Sequence, residues 1–126
     1  MSVVSLHSDK LAGSFSFPNR MLRMTAMLNH EGPLWQIAPQ PVRLERKPPN
    51  VMHASFASIA DSFDGTAGSV SGNEHGLTGD FYLKPVYFDL LQQAALSAAD
   101  LEIEVIFGAR GGVVETLLLS IKHRLA

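Results

Sequence analysis

Residues 50–65 contain the side chains of this sequence best suited to proton-transfer chemistry. They read Asn-Val-Met-His-Ala-Ser-Phe-Ala-Ser-Ile-Ala-Asp-Ser-Phe-Asp-Gly. Asp61 and Asp64 follow His53 by eight and eleven residues, a spacing that places all three on one stripe of an α-helix. Imidazole and carboxylate groups are common general acids and bases. The spacing therefore predicts a helix with three titratable groups on one face.

The other face of this segment is apolar. Its large side chains recur at offsets of zero, four, seven and eleven residues, at Met52, Phe56, Ile59 and Phe63. An amphipathic helix turns such a stripe toward a hydrophobic core, and Gly65 can end the helix in a left-handed cap. We therefore expect this segment to be the central helix of a small α+β domain.

The remaining segments are predicted to be mostly strands. Alternating or β-rich runs bounded by glycine or proline indicate strands at residues 42–46, 66–72 and 77–86. Residues 101–107 alternate apolar with mostly acidic side chains, and a glycine-rich turn at 108–112 leads to a second β-rich run at 113–122. This pattern predicts a C-terminal β-hairpin.

Two further helices are predicted. Apolar residues near helical spacing indicate a short amphipathic helix at residues 20–28, at the end of an N-terminal segment that spans residues 1–26. Residues 89–99 have high helix propensity, and Asp89 is suited to the N-cap. We expect a second short helix there.

Composition and charge narrow the class of protein. The chain has 126 residues, of which 46% are hydrophobic and 17% charged, a balance typical of a globular domain. This length predicts one domain over residues 1–126. The formal net charge is −2, so the chain lacks the broad basic character that binding to nucleic-acid phosphates requires. We expect no nucleic-acid partner.

Other sequence features argue against metal, disulfide and membrane functions. The chain has no cysteine, which removes disulfides and thiolate chemistry. His53 and Asp61 lie two turns apart on the predicted helix, and no third metal ligand follows at a suitable spacing. No stretch reaches the roughly 20 apolar residues of a membrane span, and residues 1–10 lack the apolar core of a secretory signal. We expect a cytoplasmic protein without metal, cofactor or membrane partner.

Four short sequence motifs, taken in chain order, match a known family. They are Gly32-Pro33-Leu34-Trp35, then Asn50, then Met52-His53-Ala54-Ser55 with Ile59-Ala60-Asp61-Ser62, and finally Phe81-Tyr82-Leu83-Lys84-Pro85-Val86. In this order the chain resembles the hotdog-fold acyl-CoA thioesterases of the PaaI-like group, over roughly residues 27–123. The resemblance implies a hotdog fold, in which an antiparallel β-sheet wraps around a central helix.

The resemblance also implies a mechanism for hydrolysing the thioester of a fatty or aromatic acyl-CoA. Asp61 would be the base or nucleophile, and Asn50 would orient the carbonyl group or the attacking water. Backbone N–H groups of His53, Ala54 and Ser55 at the helix N-terminus would polarise the thioester carbonyl.

Hotdog sites are built from two protomers, so the resemblance implies a homodimer or homotetramer. Thr78 or His75 would then assist from across the interface. The phosphates of acyl-CoA would meet cationic side chains at Lys84, Arg110 and Lys122.

Two alternative functions follow from the same resemblance. Ala54 and Ser55 stand where the family usually has two glycines, and their side chains would crowd the backbone, which favours acyl-CoA or small-ligand binding without catalysis. Alternatively, His53 would act as the base in a dehydratase for hydroxyacyl thioesters. On the residues alone, Asp61 is also a candidate for a solvated surface residue, and His53 and Asn50 for capping or turn residues.

Overall fold

A computed structural model of the protein describes residues 10–25, 34–37, 42–43, 51–58, 67–73 and 76–124. In these residues, nine strands form one curled sheet and one α-helix packs on it, so the fold is α+β. The strands are β1 (Lys10–Pro18), β2 (Leu22–Thr25), β3 (Leu34–Ile37), β4 (Val42–Arg43), β5 (Val51–Ser58), β6 (Gly68–Asn73), β7 (Gly76–Leu83), β8 (Leu101–Arg110) and β9 (Val113–His123). The helix is α1 (Pro85–Leu96), and a short 3-10 turn covers Asn19–Met21.

The strand order along the sheet is β1-β8-β9-β6-β7-β5-β3-β2, and β4 pairs with β5. Neighbouring strands run antiparallel except β5 and β7, which run parallel with Met52 opposite Leu77. The short strand β4 also lies close to β1, which shows how strongly the sheet curls. The predicted antiparallel sheet is therefore confirmed in its general form, with β5 and β7 as one parallel pair.

Aromatic rings fill the inner side of the sheet. Phe81 of β7 lies with its ring centroid 5.6 Å from those of Phe56 and Phe107 and 6.0 Å from that of Phe15. All four side chains are at most 2% exposed. This cluster joins strands from both halves of the sheet, so it fixes the position of β5 and β7 relative to the rest of the molecule.

Helix α1 packs on the same inner side. Pro85 occupies its first turn, where a missing N–H costs nothing, and Phe88, Leu91 and Ala94 are its buried residues. Asn19 is 3% exposed. Its side-chain amide donates to the carbonyls of Ala94 and Ala99 at 2.8 and 3.1 Å, and its oxygen accepts from the N–H of Leu101 at 3.2 Å.

The prediction of a central helix at residues 50–65 is wrong for the part that the structure describes. Residues 51–58 form strand β5, whereas residues 50 and 59–65 lie outside the described residues. An offset of four residues, as between Met52 and Phe56, satisfies both the helical period and the strand period of two. Ala54 faces the core between them, which is the signature of a strand.

The other element predictions have mixed outcomes. The hairpin is confirmed, but β8 continues to Arg110 and the turn is limited to Gly111 and Gly112, both with positive φ. The strands predicted at 66–72 and 77–86 are confirmed at Gly68–Asn73 and Gly76–Leu83. The second prediction is wrong at its end, because Pro85 and Val86 belong to helix α1.

The predicted helix at 89–99 is confirmed in type but begins at Pro85, so Asp89 is inside the helix and is not its N-cap. The predicted helix at 20–28 is wrong where it is described, since one 3-10 turn leads directly into strand β2.

Candidate functional site

A shallow pocket of about 170 Å³ lies where β3, β5 and β7 run side by side. Its lining is mainly polar or small, consisting of Gln36, Ile37, His53, Ala54, Ser55, Thr78, Gly79 and Asp80. Four of these residues, His53, Ala54, Ser55 and Thr78, were predicted from the sequence as site residues. The structure therefore brings these four together, although in a strand environment and not at a helix N-terminus.

Strand alternation explains why the polar side chains converge. Met52, Ala54 and Phe56 belong to the hydrophobic core, so the intervening His53 and Ser55 point to the outer face of the sheet. In register, His53 is opposite Thr78 and Ser55 is opposite Asp80. Directly opposed side chains in adjacent strands share a face and lie about 5 Å apart at Cβ.

Each pair of opposed polar residues belongs to a row that crosses the sheet, and these rows continue into the neighbouring strands. Gln36 of β3 is opposite Ser55, and Ser69 of β6 is opposite Asp80. Ser71 is opposite Thr78 in the adjoining row. Four adjacent strands therefore present a continuous polar surface on the outer face.

Ser55 and Asp80 form a direct polar contact in the site. The Ser55 hydroxyl donates to Oδ1 of Asp80 over 2.7 Å, a short distance typical of a hydrogen bond to a carboxylate. Ser55 is 8% exposed, while the Asp80 side chain reaches solvent. The hydrogen bond thus fixes the orientation of a carboxylate that remains accessible to a ligand or to water.

Among the described residues, the hydrogen-bonded ladder along one edge of β5 has an interruption beside this pair. β3 pairs with residues 55–57 and β4 with residues 51–52. Among the residues that the structure describes, His53 and Ala54 have no ladder partner on that edge. Successive strand residues direct their N–H groups to alternate edges, so one of these two directs a backbone donor toward the interruption at the pocket rim.

Two different side chains flank the pocket along the strands. Arg43 is exposed and opposite Val51, on the same face as His53 and about 13 Å along the strand from the Ser55 row. At the other end, Tyr82 is opposite the buried Ala57 and is 36% exposed. The outer face therefore changes from cationic through polar to aromatic along one direction.

The sequence-based site prediction is only partly tested. Asn50, Asp61 and His75 lie outside the described residues. Asp80 and Gln36 were missed, although the alternation of Thr78, Asp80 and Tyr82 through a strand would have placed Asp80 on the same face as Thr78.

The cations that were expected to meet acyl-CoA phosphates are not in the pocket lining. Lys84 precedes helix α1, and Arg110 at the end of β8 lies 3.6 Å from a carboxylate oxygen of Glu115. Lys122 is opposite Glu102 in the hairpin.

The described part of the chain contains no group of three or more histidine, aspartate or glutamate side chains arranged to hold a metal ion. Its one α-helix is too short to cross a membrane.

The comparisons with known proteins add no relative. The chain matches no protein-family model, no curated protein and no solved structure. Any functional assignment therefore depends on the geometry of the site and on the chemistry of its side chains.

Proposed function

We propose that this protein hydrolyses an acyl thioester in the pocket on the outer face of β3, β5 and β7. The observation that carries the proposal is the Ser55–Asp80 hydrogen bond of 2.7 Å between two residues that line that pocket. It holds an accessible carboxylate in one orientation, next to the exposed His53 and to the interruption of the backbone ladder among the described residues. Hydrolysis of an acyl group requires a base and donors for the oxyanion.

In the proposed mechanism, Asp80 is the general base. It removes a proton from a water molecule as the water oxygen attacks the thioester carbonyl carbon. Ser55 is a positioning residue, because its hydroxyl proton is directed at the carboxylate. The backbone N–H at the ladder interruption and the imidazole of His53 stabilise the oxyanion. The carbon–sulfur bond then breaks, and Asp80 returns the proton to the thiolate, which yields a carboxylic acid and a free thiol.

The flanking residues support an acyl-CoA as the substrate class. Arg43 would bind a phosphate of the CoA moiety at one end of the outer face. Tyr82 and Ala57 would contact the acyl chain at the other end. The two ends lie on the same sheet face with the polar rows between them, so one extended substrate would place its thioester near Asp80.

The hotdog fold remains part of this proposal. One α-helix packed on the inner side of a curled, mainly antiparallel sheet supports it. In this version the enclosed helix is α1 (Pro85–Leu96), because residues 51–58 of the segment predicted to be the central helix form strand β5. The location of the catalytic carboxylate changes with it, from Asp61 to Asp80.

A panel of acyl-CoA thioesters tests the proposal. Purified protein is incubated with short-chain, long-chain and aromatic acyl-CoA, and thiol release is measured with a thiol-reactive dye. Mass spectrometry of the products separates hydrolysis from dehydration of a hydroxyacyl group. We expect free CoA and the matching acid from at least one class, and absence of thiol release from every class would refute the proposal.

The second candidate function is acyl-CoA or small-ligand binding without hydrolysis. It is favoured by one observation, namely that His53 and Ser55 lie in a strand and provide no helix N-terminus for the oxyanion. Calorimetry with the same panel distinguishes the two functions. Saturable binding with no thiol release would support this candidate.

A further inference from the structure

Gln36 of β3 is a polar side chain of the pocket lining that has no role in the proposed mechanism. It is exposed and lies opposite Ser55 of β5, which in turn lies opposite Asp80 of β7. Trp35 and Ile37, on either side of it, are buried in the core, so Gln36 points to the outer face. The carboxamide of Gln36 therefore belongs to the same polar row as the proposed catalytic carboxylate.

The row continues past Gln36 to Arg23 of β2. The guanidinium of Arg23 donates to the backbone carbonyls of Arg20 and Leu22, so it is bound to its own segment of the chain. Arg23 does not line the pocket. Gln36 is therefore the polar side chain that borders the pocket on the side of β2.

A carboxamide is suited to recognising another amide. Its NH₂ group supplies two donors and its oxygen supplies an acceptor, so it can donate to the C=O of a ligand amide or accept from its N–H. The thiol half of an acyl-CoA contains such an amide close to the reacting bond. In its pantetheine arm, two methylene groups separate the sulfur from the first amide nitrogen.

The spacing of the row fits this part of the arm. Gln36 and Asp80 are separated by one strand, so their backbones lie about 10 Å apart. The hydrogen bond of 2.7 Å holds the carboxylate of Asp80 on the side of Ser55. A thioester carbonyl beside Asp80 places the first amide nitrogen of the arm roughly 5 Å farther along the row. The side chain of Gln36 can reach this position.

The rest of the arm fits the distance to Arg43. Strands β3 and β4 pair with the same edge of β5, and Arg43 lies about 13 Å from the Ser55 row along that strand. From its first amide nitrogen to the first phosphate, the arm spans roughly 12 Å when extended. One extended arm can therefore pass from Asp80 to Gln36 and then to Arg43.

We propose that Gln36 binds the pantetheine amide nearest to the sulfur and makes the protein selective for pantetheine thioesters over thioesters of simple thiols. This inference rests on the proposed function and names the part of the substrate that the site recognises. Gln36 takes no part in the bond changes and is a specificity-determining residue. Free pantetheine and CoA share this amide and differ in the phosphates that Arg43 would bind.

Substrate comparison tests the proposal. One acyl group is attached in turn to CoA, to pantetheine and to propanethiol, in which a methyl group replaces the amide. The kcat/KM for thiol release is measured for the natural chain and for Gln36→Leu. We expect the natural chain to prefer the pantetheine thioester over the propanethiol thioester by roughly 10-fold, and Gln36→Leu to lose this preference. The variant should lose the same factor with the CoA thioester.

Two controls separate recognition from a loss of structure. The propanethiol thioester should react equally with the natural chain and with Gln36→Leu, which reports an intact catalytic site. Gln93→Leu, at an exposed position of α1, should keep the full preference for pantetheine. A natural chain without this preference, or an equal preference in Gln36→Leu, would overturn the role of Gln36.

A binding measurement distinguishes failure of this inference from failure of the proposed function. The probe is S-butyl pantetheine, a thioether that cannot be hydrolysed, and its affinity is measured by calorimetry. If no thioester releases thiol, the proposed hydrolysis is refuted. Binding to the natural chain that is roughly 10-fold tighter than to Gln36→Leu would then still support recognition by Gln36. Equal affinities, or no binding to either protein, would refute it.

Discussion

The Ser55 hydroxyl donates a hydrogen bond of 2.7 Å to Oδ1 of Asp80 across the parallel pair of strands β5 and β7. The two residues are directly opposed in register, so the hydrogen bond follows from the strand pairing and needs no loop to place either group. Parallel pairing of β5 with β7 thus aligns a hydroxyl, a carboxylate and the adjoining His53–Thr78 row on one face.

Replacement of Ser55 separates a positioning role from a nucleophilic one. Ser55→Ala removes the donor to Asp80 but leaves a carboxylate that water can still solvate, so we expect a loss of about 1 kcal/mol in unfolding free energy at most. Turnover should fall roughly 10-fold and should remain well above background. Steady-state kinetics and urea unfolding measure the two effects. Complete loss of turnover in a folded Ser55→Ala protein would show that Ser55 is a nucleophile.

Arg43 is predicted to act on the CoA moiety and not on the reaction. Arg43→Ala should raise KM for acyl-CoA several-fold with little change in kcat, because the guanidinium would contact a phosphate far from the carbonyl. With a thioester of a small uncharged thiol, the variant should match the natural protein. An equal loss of kcat/KM for both thioesters would contradict this role.

Gly79 lines the pocket, and a side chain at this position would point toward the core. A methyl group there would meet Cε2 and Cζ of Phe81 at 2.7 and 2.8 Å and the sulfur of Met52 at 3.2 Å. Gly79→Ala should therefore destabilise the protein by roughly 1 to 3 kcal/mol through overpacking. Thermal and urea unfolding measure this change.

Gly76→Ala on the same strand is the matched control for this prediction. Its new methyl group would come no closer than 3.4 Å to the carbonyl oxygen of Val51. We expect a change within about 0.5 kcal/mol. Equal effects of the two substitutions would contradict the packing described around Phe81.

Asn19 joins the end of helix α1 to the start of strand β8. Asn19→Ala leaves the buried carbonyl of Ala94 and the N–H of Leu101 without their side-chain partner, so we expect a loss of roughly 1 to 3 kcal/mol. Ser97→Ala is the control, since its hydroxyl accepts from the N–H of Ala99 in an exposed position. Comparable melting temperatures for the two variants would show that Asn19 does not stabilise this junction.

The fold was predictable from the sequence where signals are local. The C-terminal hairpin, with Gly111 and Gly112 at its turn, and the helical residues from Asp89 onward have such signals in short stretches of the chain. The start of this helix at Pro85 was missed. The identity of β5 is not local, because the four residues from Ala54 to Ala57 are all buried and a strand buried on both faces loses its alternation. The spacing of Met52 and Phe56 then favours a helix that the paired neighbours exclude.

The candidate site was predictable for its residue types but not for its partners. His53 and Ser55 were predicted from a family motif and Thr78 from an expected place at a subunit interface, and all three line one pocket. Asp80 was not selected, because its relation to Ser55 depends on the pairing of two strands separated by β6 in the sequence. A polar residue on the outer face of a strand cannot be distinguished from an ordinary surface residue until the neighbouring strand has been identified.

The most direct test of the central claim is turnover of acyl-CoA by Asp80→Asn, measured as thiol release. Asn is nearly isosteric with Asp and can still contact Ser55, so circular dichroism and melting should change little. Asp89→Asn, on the exposed side of α1, is the control for loss of one carboxylate, and Asp61→Asn compares the carboxylate indicated by the family resemblance. We predict that Asp80→Asn lowers kcat by roughly 10² to 10⁴-fold and that Asp89→Asn does not. Full turnover by a folded Asp80→Asn protein, or its loss only in Asp61→Asn, would contradict the proposed role of Asp80.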